Sequence, residues 1–175
     1  ISPREHEDVL TWLYELSQTA PFQIKTTAAT HYRRIAHEIA KEAGREVNRR
    51  HDAIKRPPWV QGVAKDGLER AVRGVTDGVG FVFVSHTGEV YPSGFLPIVA
   101  GNIRERPLSE IYRKSPVMIA LRDPEQYKGK CGVCEYRYIC GGSRARAYAV
   151  SGDYLASDPA CIYVPKGFDQ KQRVL

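Results

Sequence analysis

All four cysteines of this chain lie within one window of 31 residues. They are Cys131, Cys134, Cys140 and Cys161, and their spacing is C-x2-C-x5-C-x20-C. Four thiolates that converge on one centre bind either a tetrahedral zinc ion or a cubane iron–sulfur cluster. Disulfides or inert buried thiols are the alternatives, but disulfides are rare in the cytosol and chance would not crowd every cysteine here. The window therefore predicts a metal centre with these four residues as its ligands.

The spacing favours iron–sulfur over zinc without excluding zinc. A zinc ribbon normally carries two C-x-x-C pairs, whereas this window contains one, Cys131 and Cys134. Gly141 and Gly142 directly follow Cys140, and glycines allow the backbone to approach a bulky cluster whose sulfides accept amide hydrogen bonds. Nearby basic residues would offset the charge of a [4Fe-4S] cluster, but a tetrathiolate zinc ion carries the same formal charge. Zinc stays open as an alternative, or as a replacement for a lost cluster.

Two amphipathic helices are predicted at the beginning of the chain. The run Ser2-Pro3-Arg4-Glu5 has the pattern of a capping box, and apolar residues at helical spacing follow it to about residue 18. A second apolar stripe ends at Gly44, and the run from Phe22 to Thr27 between the two is rich in β-forming residues. Helix, strand and helix indicate part of an α/β layer that has no sheet neighbours within this segment.

The second half of the chain is predicted to be a small α+β unit. Residues 45–79 are polar and are interpreted as a connector. The runs 81–84 and 89–92 flank a glycine-containing turn, which predicts a β-hairpin. Pro107 and Pro116 stand at the first-turn positions of two short helices that precede the cysteine window.

The composition predicts a globular cytoplasmic protein. No run of apolar residues is long enough to span a membrane and no secretory leader is visible, so no membrane partner is expected. The net charge of +6 raises nucleic acid as a partner. The densest basic stretch, Arg33 to Arg56, interleaves eight Lys/Arg with four Asp/Glu and lacks aromatic residues for base stacking. It is interpreted as a solvated helix face, and nucleic acid is not the expected partner. The five histidines, including His31, show no metal-ligand spacing and are expected at the surface.

The cysteine window resembles the second half of the SPASM domain, the C-terminal extension of many radical SAM enzymes. That family has the pattern C-x(9 to 15)-G-x4-C, then C-x2-C-x5-C-x3-C, then a last cysteine, and it holds two auxiliary [4Fe-4S] clusters. The resemblance covers about residues 78 to 165 and includes the stretch GNIRERPLSEIY at 101–112. Across the whole chain, the sequence is most similar to the radical SAM/SPASM peptide maturases.

Every departure from the family pattern falls on one of the two clusters. Ser93 stands where the family has the cysteine of G-x4-C, Arg144 stands at the fourth position of the central group, and no cysteine precedes Gly88. The resemblance assigns the retained residues to the other cluster: Cys131, Cys134, Cys140 and Cys161. It therefore implies one fully ligated [4Fe-4S] cluster.

The resemblance also implies that the chain is the C-terminal portion of a longer enzyme. Radical SAM chemistry needs a C-x3-C-x2-C loop that leaves one iron open for S-adenosylmethionine, and this chain has no cysteine before Cys131. Alone it is therefore expected to be inactive, and no catalytic residue is assigned. Its expected partners are the missing radical SAM barrel and a peptide substrate. Full ligation by four thiolates favours electron transfer or structural support over direct substrate coordination.

The resulting prediction is an α+β fold in three parts. Residues 1–50 are expected to be the end of a partial (β/α)6 barrel, 51–77 a linker, and 78–175 a SPASM-like domain with a β-hairpin, short helices and a cysteine-ligated cluster loop. Within that loop Arg144 and Arg146 cannot share a helix face. One of these arginines is expected to pack against the cluster or a carboxylate, and the other is expected to be solvated. A zinc-stabilised interaction module without catalysis is the alternative function.

Overall fold

The N-terminal part of the chain is a pair of packed helices. The computed structural model of the chain describes residues 1–22, 24, 26–44 and 76–168. Helix α1 (Pro3–Ser17) begins with the predicted capping box, in which the Glu5 amide donates to Ser2 Oγ and the Ser2 amide donates to the Glu5 carboxylate. Helix α2 (His31–Glu42) ends before Gly44, whose φ of +63° is a conformation that glycine adopts readily. Both helices therefore begin and end close to their predicted boundaries.

The two helices share one small apolar core. The core consists of buried residues from both helices: Leu10, Tyr14, Tyr32, Ile35 and Ala36. Of the run 22–27, for which a strand was predicted, the structure describes residues 22, 24, 26 and 27, and these lie in bends and coil. A strand needs a neighbour to accept its hydrogen bonds, and the described sheet lies elsewhere in the chain. The strand prediction is therefore wrong at these four residues.

A small antiparallel sheet organises the C-terminal part. Strand β1 (Phe83–Val84) pairs with β2 (Glu89–Tyr91), as predicted for a hairpin, through a turn in which Gly88 has a φ of +90°. Strand β3 (Gly101–Asn102) adds to the other side of β2. This third strand was not predicted, because two residues of Gly-Asn carry no strand signal.

Short helices pack on the sheet and lead into the cysteine window. They are α3 (Leu108–Lys114), α4 (Pro116–Arg122), a 3-10 turn (Pro124–Gln126), α5 (Gly129–Val133) and α6 (Arg144–Ser151). The predicted helices at Pro107 and Pro116 are thus confirmed. The core beneath them is fully buried and contains Val90, Leu96, Ile111, Met118 and Leu121. An α+β domain holding the cysteine window is therefore present.

The connector predicted between the two parts lies almost entirely outside the described residues. Its last residues are described, and there the Gly78 amide donates to the Pro92 carbonyl across 2.9 Å. Asp77 is buried and bonds to Ser93, so the last residue of the predicted linker contacts the C-terminal domain. No described helix has the length and hydrophobicity needed to cross a lipid bilayer.

Candidate metal centre

The four cysteine side chains line a single cavity. Cys131 lies on α5 and Cys134 directly follows that helix, whereas Cys140 lies in the next turn and Cys161 in the loop after α6. The enclosed space between them measures about 20 Å³, and all four are free thiols. Among the described residues, no three His, Cys, Asp or Glu side chains are grouped tightly enough to hold one metal ion. The structure therefore brings together the predicted ligands around a cavity, while their role as ligands stays a prediction.

Backbone groups two residues further on interact with three of the cysteine sulfurs. The Tyr136 amide donates to Cys134 Sγ across 3.4 Å. Burial raises the pKa of Cys140, and a backbone hydrogen bond of Gly142 opposes this rise. The Cys161 thiol instead donates to the Tyr163 carbonyl oxygen across 4.0 Å. A backbone N–H is the group that stabilises a thiolate, so the turn after Cys134 supplies such a donor to its own cysteine.

The fourth sulfur, that of Cys131, receives a side-chain donor instead. Cys131 lies inside α5, and its own amide donates to Ser157 Oγ across 3.4 Å. Its sulfur accepts a hydrogen bond from Arg144 Nη2 across 3.4 Å. Gly142 makes this contact sterically feasible, because an added Cβ would lie 2.6 Å from Arg144 Nη2 and 3.2 Å from Cys131 Sγ, and its φ is +64°. Arg144 is 0% exposed.

Helix α2 forms one wall of the cavity. The Cys140 thiol donates to Thr30 Oγ1 across 3.7 Å, and His31 and Arg34 both line the cavity. The Arg34 guanidinium lies 5.0 Å from the ring centroid of Tyr163, which belongs to the loop of Cys161. Arg34 is 2% exposed, so the prediction of a solvated basic face is wrong at this residue. The N-terminal helices are thus part of the site rather than a separate remnant beside it.

A buried pair fixes α2 to the cysteine window. His31 Nε2 lies 3.1 Å from Asp158 Oδ2, and both side chains are 0% exposed. The prediction that the histidines are exposed is therefore wrong for His31. Asp158 also accepts hydrogen bonds from the Ser143 amide at 2.6 Å and from Arg146 at 2.8 and 2.9 Å. Burial alone would raise the pKa of Asp158, but Arg146 and His31 outweigh it and hold that pKa well below its usual range.

The electrostatics of the cavity suit an anionic metal centre. Burial raises the pKa of Cys140 to about 12 and that of Cys134 to about 11, so these thiols stay protonated at neutral pH without a metal. Burial also raises the pKa of Cys161, which Lys130 and Arg34 oppose. Three cations line the cavity, namely Arg34, Lys130 and Arg137. Four soft sulfur donors, amide and guanidinium donors aimed at sulfur, and surrounding cations fit a tetrathiolate cluster.

The positions of the missing family cysteines meet at a second buried aspartate. Ser93, 1% exposed, donates its hydroxyl to Asp77 Oδ1 and accepts from the amides of Phe95 and Leu96 across 3.1 and 3.2 Å. The Ala145 amide, next to Arg144, donates to Asp77 Oδ2 across 3.2 Å. We call this group the Asp77 network. It joins Ser93 to the backbone of Ala145, the residue after Arg144, and so connects two of the three departures from the family pattern.

Sequence reasoning found the cysteines and missed most of what surrounds them. Arg146 contacts the Asp158 carboxylate, as expected for one of the two arginines. The expectation that the other is solvated is wrong, because Arg144 is 0% exposed and donates to Cys131 Sγ. The unpredicted residues of the site are Thr30, His31, Arg34 and Asp158. The first three are distant in sequence from the cysteines, and Asp158 is recognisable only through its place three residues before Cys161.

The fold and the four thiols around one cavity define an α+β domain with a cysteine-lined cavity. Residues 77–135 match the SPASM family, whose description is an iron-sulfur cluster-binding domain. This match bears out the resemblance of the chain to the SPASM domain. The matched residues include Cys131 and Cys134, and the remaining two cysteines follow them.

Curated relatives match both halves of the chain. The AdoMet-dependent heme synthase of Methanosarcina barkeri is 46% identical over 165 residues, which are 94% of this chain and 43% of the relative. That of Nitratidesulfovibrio vulgaris is 43% identical over 95% of this chain and 41% of its own length. A PqqA peptide cyclase of a Methylobacterium species is 36% identical over 47% of this chain and 23% of its own length. The chain therefore spans about two fifths of the heme synthases that it matches.

Proposed function

We propose that this chain is the auxiliary-cluster portion of a radical SAM enzyme and holds one [4Fe-4S] cluster. Its ligands are Cys131, Cys134, Cys140 and Cys161. The observation that carries the proposal is that these four thiols line one cavity within a domain of an iron-sulfur cluster-binding family. The cations and sulfur-directed donors around the cavity support an anionic cluster there.

A bound [4Fe-4S] cluster would supply one-electron chemistry at this site. The chain's own residues would do the rest. Burial of Cys131 and Cys140 keeps water away from two ligands, and Arg144 and the Tyr136 amide donate to ligand sulfurs. Because each iron of the cubane would carry one thiolate, no iron would be open to a substrate. Electron transfer or structural support is therefore the proposed role.

The substrate proposed for the parent enzyme is a heme precursor. The heme synthases match 94% and 95% of this chain, whereas the peptide cyclase matches 47% of it. A match along both halves includes α2, which forms a wall of the cavity, and so covers the complete site. Peptide maturation, the expectation from the sequence, stays a prediction that the shorter matches support. S-adenosylmethionine would bind in the radical SAM barrel of the parent enzyme.

The proposed domain arrangement keeps the predicted boundaries and adds a contact. Residues 1–50 would be the end of the barrel, 51–77 the linker and 78–175 the SPASM domain. If so, the wall that α2 contributes would join the barrel directly to the auxiliary cluster. The contacts between α2 and the cysteine loops support this arrangement.

Metal analysis after anaerobic preparation tests the proposal. We expect about four irons and four sulfides per chain, broad visible absorption, and a paramagnetic signal after one-electron reduction. Colourless protein with one zinc ion per chain would instead support the zinc-stabilised module. The preparation must exclude oxygen, because zinc can replace a cluster that has been lost. In the full-length enzyme, heme formation followed by its optical spectrum would test the substrate.

A further inference from the structure

We infer that Arg144 sets the reduction potential of the centre by donating a charged hydrogen bond to Cys131. Arg144 stands where the family pattern has a ligand of the other cluster, and in this chain it donates to Cys131, one of the four retained cysteines. The inference rests on the proposal that the four cysteines hold a cluster. It assigns Arg144 a tuning role rather than a catalytic one.

The geometry sets Cys131 apart from the other three ligands. Cys134 Sγ accepts from the Tyr136 amide. The thiols of Cys140 and Cys161 instead donate, to Thr30 Oγ1 and to the Tyr163 carbonyl. Cys131 occupies the middle of α5, from Gly129 to Val133, where the chain continues as a helix instead of turning back. Among the hydrogen bonds of the described residues, the one from Arg144, on α6, is thus the one that directs a charged donor at a cysteine sulfur.

The donor is held rigidly. The Arg144 guanidinium lies 4.5 Å from the ring centroid of Tyr127. Its Nη1 donates to the carbonyls of Tyr154 and Ala156 across 3.2 and 2.7 Å, which leaves Nη2 directed at sulfur. A fully buried side chain held by these contacts has little freedom to move away from Cys131. The contact is therefore a fixed property of the site.

Charge gives the direction of the effect. A cubane of core charge +2 with four thiolates is a dianion, and accepting one electron makes it a trianion. A buried guanidinium beside a ligand sulfur stabilises the trianion more than the dianion, because attraction grows with the charge. Its hydrogen bond also withdraws electron density from the thiolate, and hydrogen bonds to sulfur are among the factors that set cluster potentials. Both effects make reduction easier.

The test compares three substitutions of Arg144 in anaerobically loaded protein. Arg144→Met removes charge and donor, Arg144→Gln keeps a neutral donor, and Arg144→Lys keeps the charge. With a one-electron reductant such as dithionite and mediators at a fixed solution potential, we expect the Met variant to lower the ratio of reduced to oxidised cluster about ten-fold. This corresponds to about 59 mV for a one-electron couple. Lys should restore most of the ratio, and Gln only part of it.

Arg122 provides the matched control. Its guanidinium also lies 4.5 Å from a tyrosine ring, that of Tyr112, and donates to the carbonyls of Tyr112 and Arg113. Arg122→Met thus removes a similarly stacked, carbonyl-bound arginine whose described partners include no sulfur. We expect it to leave the ratio within about two-fold of the starting protein.

The outcomes separate this inference from the proposed function. Protein without iron and sulfide would refute the cluster itself. Loaded protein in which all three Arg144 variants keep the original ratio would refute the role of Arg144 alone. If the Met variant does not take up the cluster, the Gln and Lys variants provide the test. Equal ratios of reduced to oxidised cluster in those two variants would show that charge at position 144 has no effect and would refute the role of Arg144. Resonance Raman spectra should also show a changed Fe–S(Cys) stretch in the Met variant and an unchanged one in Arg122→Met.

Discussion

The N-terminus of α6 lies between two buried aspartates whose surroundings differ. Asp158 accepts from the Ser143 amide and lies against Arg146 and His31, at the edge of the cysteine cavity. Asp77 accepts from the Ala145 amide and the Ser93 hydroxyl, at the positions where the family pattern places the other cluster. One side keeps four thiols around a cavity, and the other is a carboxylate bonded to neutral donors.

This difference shows how one scaffold can lose a cluster without losing its fold. Where the family has cysteines, Ser93 now satisfies Asp77 and two backbone amides, so no buried donor at that position is left without a partner. Arg144, at the other departure, lies against the retained cysteines and donates to Cys131. We therefore expect the cysteine side to depend on a metal and the Asp77 network to depend only on protein hydrogen bonds.

The largest expected effect is the loss of the centre from one cysteine substitution. Cys140→Ser replaces a buried thiol that lines the cavity with a weaker ligand, so we expect loss of nearly all iron and sulfide and a lower melting temperature. Iron and sulfide analysis measures it. Ser93→Cys is the matched reverse change on the other side. Ser93→Cys should add no second cluster, since Arg144 occupies the position of another ligand of that cluster. More than four irons per chain would contradict the view that the Asp77 network no longer binds metal.

The next effect concerns the two aspartates. Asp158→Asn leaves Arg146 and His31 beside a neutral amide in a buried site, so we expect about 3–5 kcal/mol loss in the free energy of unfolding. In Asp77→Asn, an NH2 group replaces one carboxylate oxygen that accepts from a neutral donor. We expect the free energy of unfolding to fall by about 1–3 kcal/mol. Denaturant titration of both variants, each loaded with its centre, gives the two values.

An exposed pair serves as control for both aspartate variants. Lys128 and Asp153 form a salt bridge at 2.5 Å with side chains 62% and 33% exposed. Asp153→Asn should therefore cost no more than about 1 kcal/mol. If Asp158→Asn proved as mild as this control, the buried pair with His31 would not hold α2 on the site.

The sequence predicted the parts of the molecule that local chemistry decides. The capping box at Ser2, the turn at Gly88 and the proline at position 116 each fix a helix or hairpin by contacts a few residues away. The cysteine spacing likewise predicted a common cavity. It could not predict that Thr30 and Cys140 meet, because this contact spans 110 residues and no local pattern records it. For the same reason His31 was expected in solvent.

We expect the affinity of the four cysteines for a metal ion to increase with pH. The pKa of Cys140 is raised to about 12 and that of Cys134 to about 11, so a metal must displace a proton from each thiol near neutrality. The pKa of Cys161 is raised as well. Displacement becomes easier as pH rises, and three such thiols predict an affinity that increases at least about 1000-fold between about pH 7 and pH 8. Competition between metal-free protein and a chelator for Co²⁺ measures the slope. An increase of ten-fold or less would mean that metal binding displaces no more than one proton, which would contradict binding by these three thiols together.

The smallest effect tests whether the Asp77 network is independent of the cluster. Ser93→Ala removes a hydroxyl that is 1% exposed and leaves Asp77 and the amides of Phe95 and Leu96 without that partner. We expect about 1–3 kcal/mol loss in the free energy of unfolding, because buried groups lose their hydrogen bonds. Iron and sulfide content should stay unchanged, since Cys131 keeps Arg144 as its donor.

Thr87→Ala, at the hairpin turn, is the control. It removes an exposed hydroxyl that bonds to Glu89 and should change the free energy of unfolding by less than about 0.5 kcal/mol. Loss of iron in Ser93→Ala would mean that the two sides of α6 are coupled, and the network would then support the cluster as well as the fold.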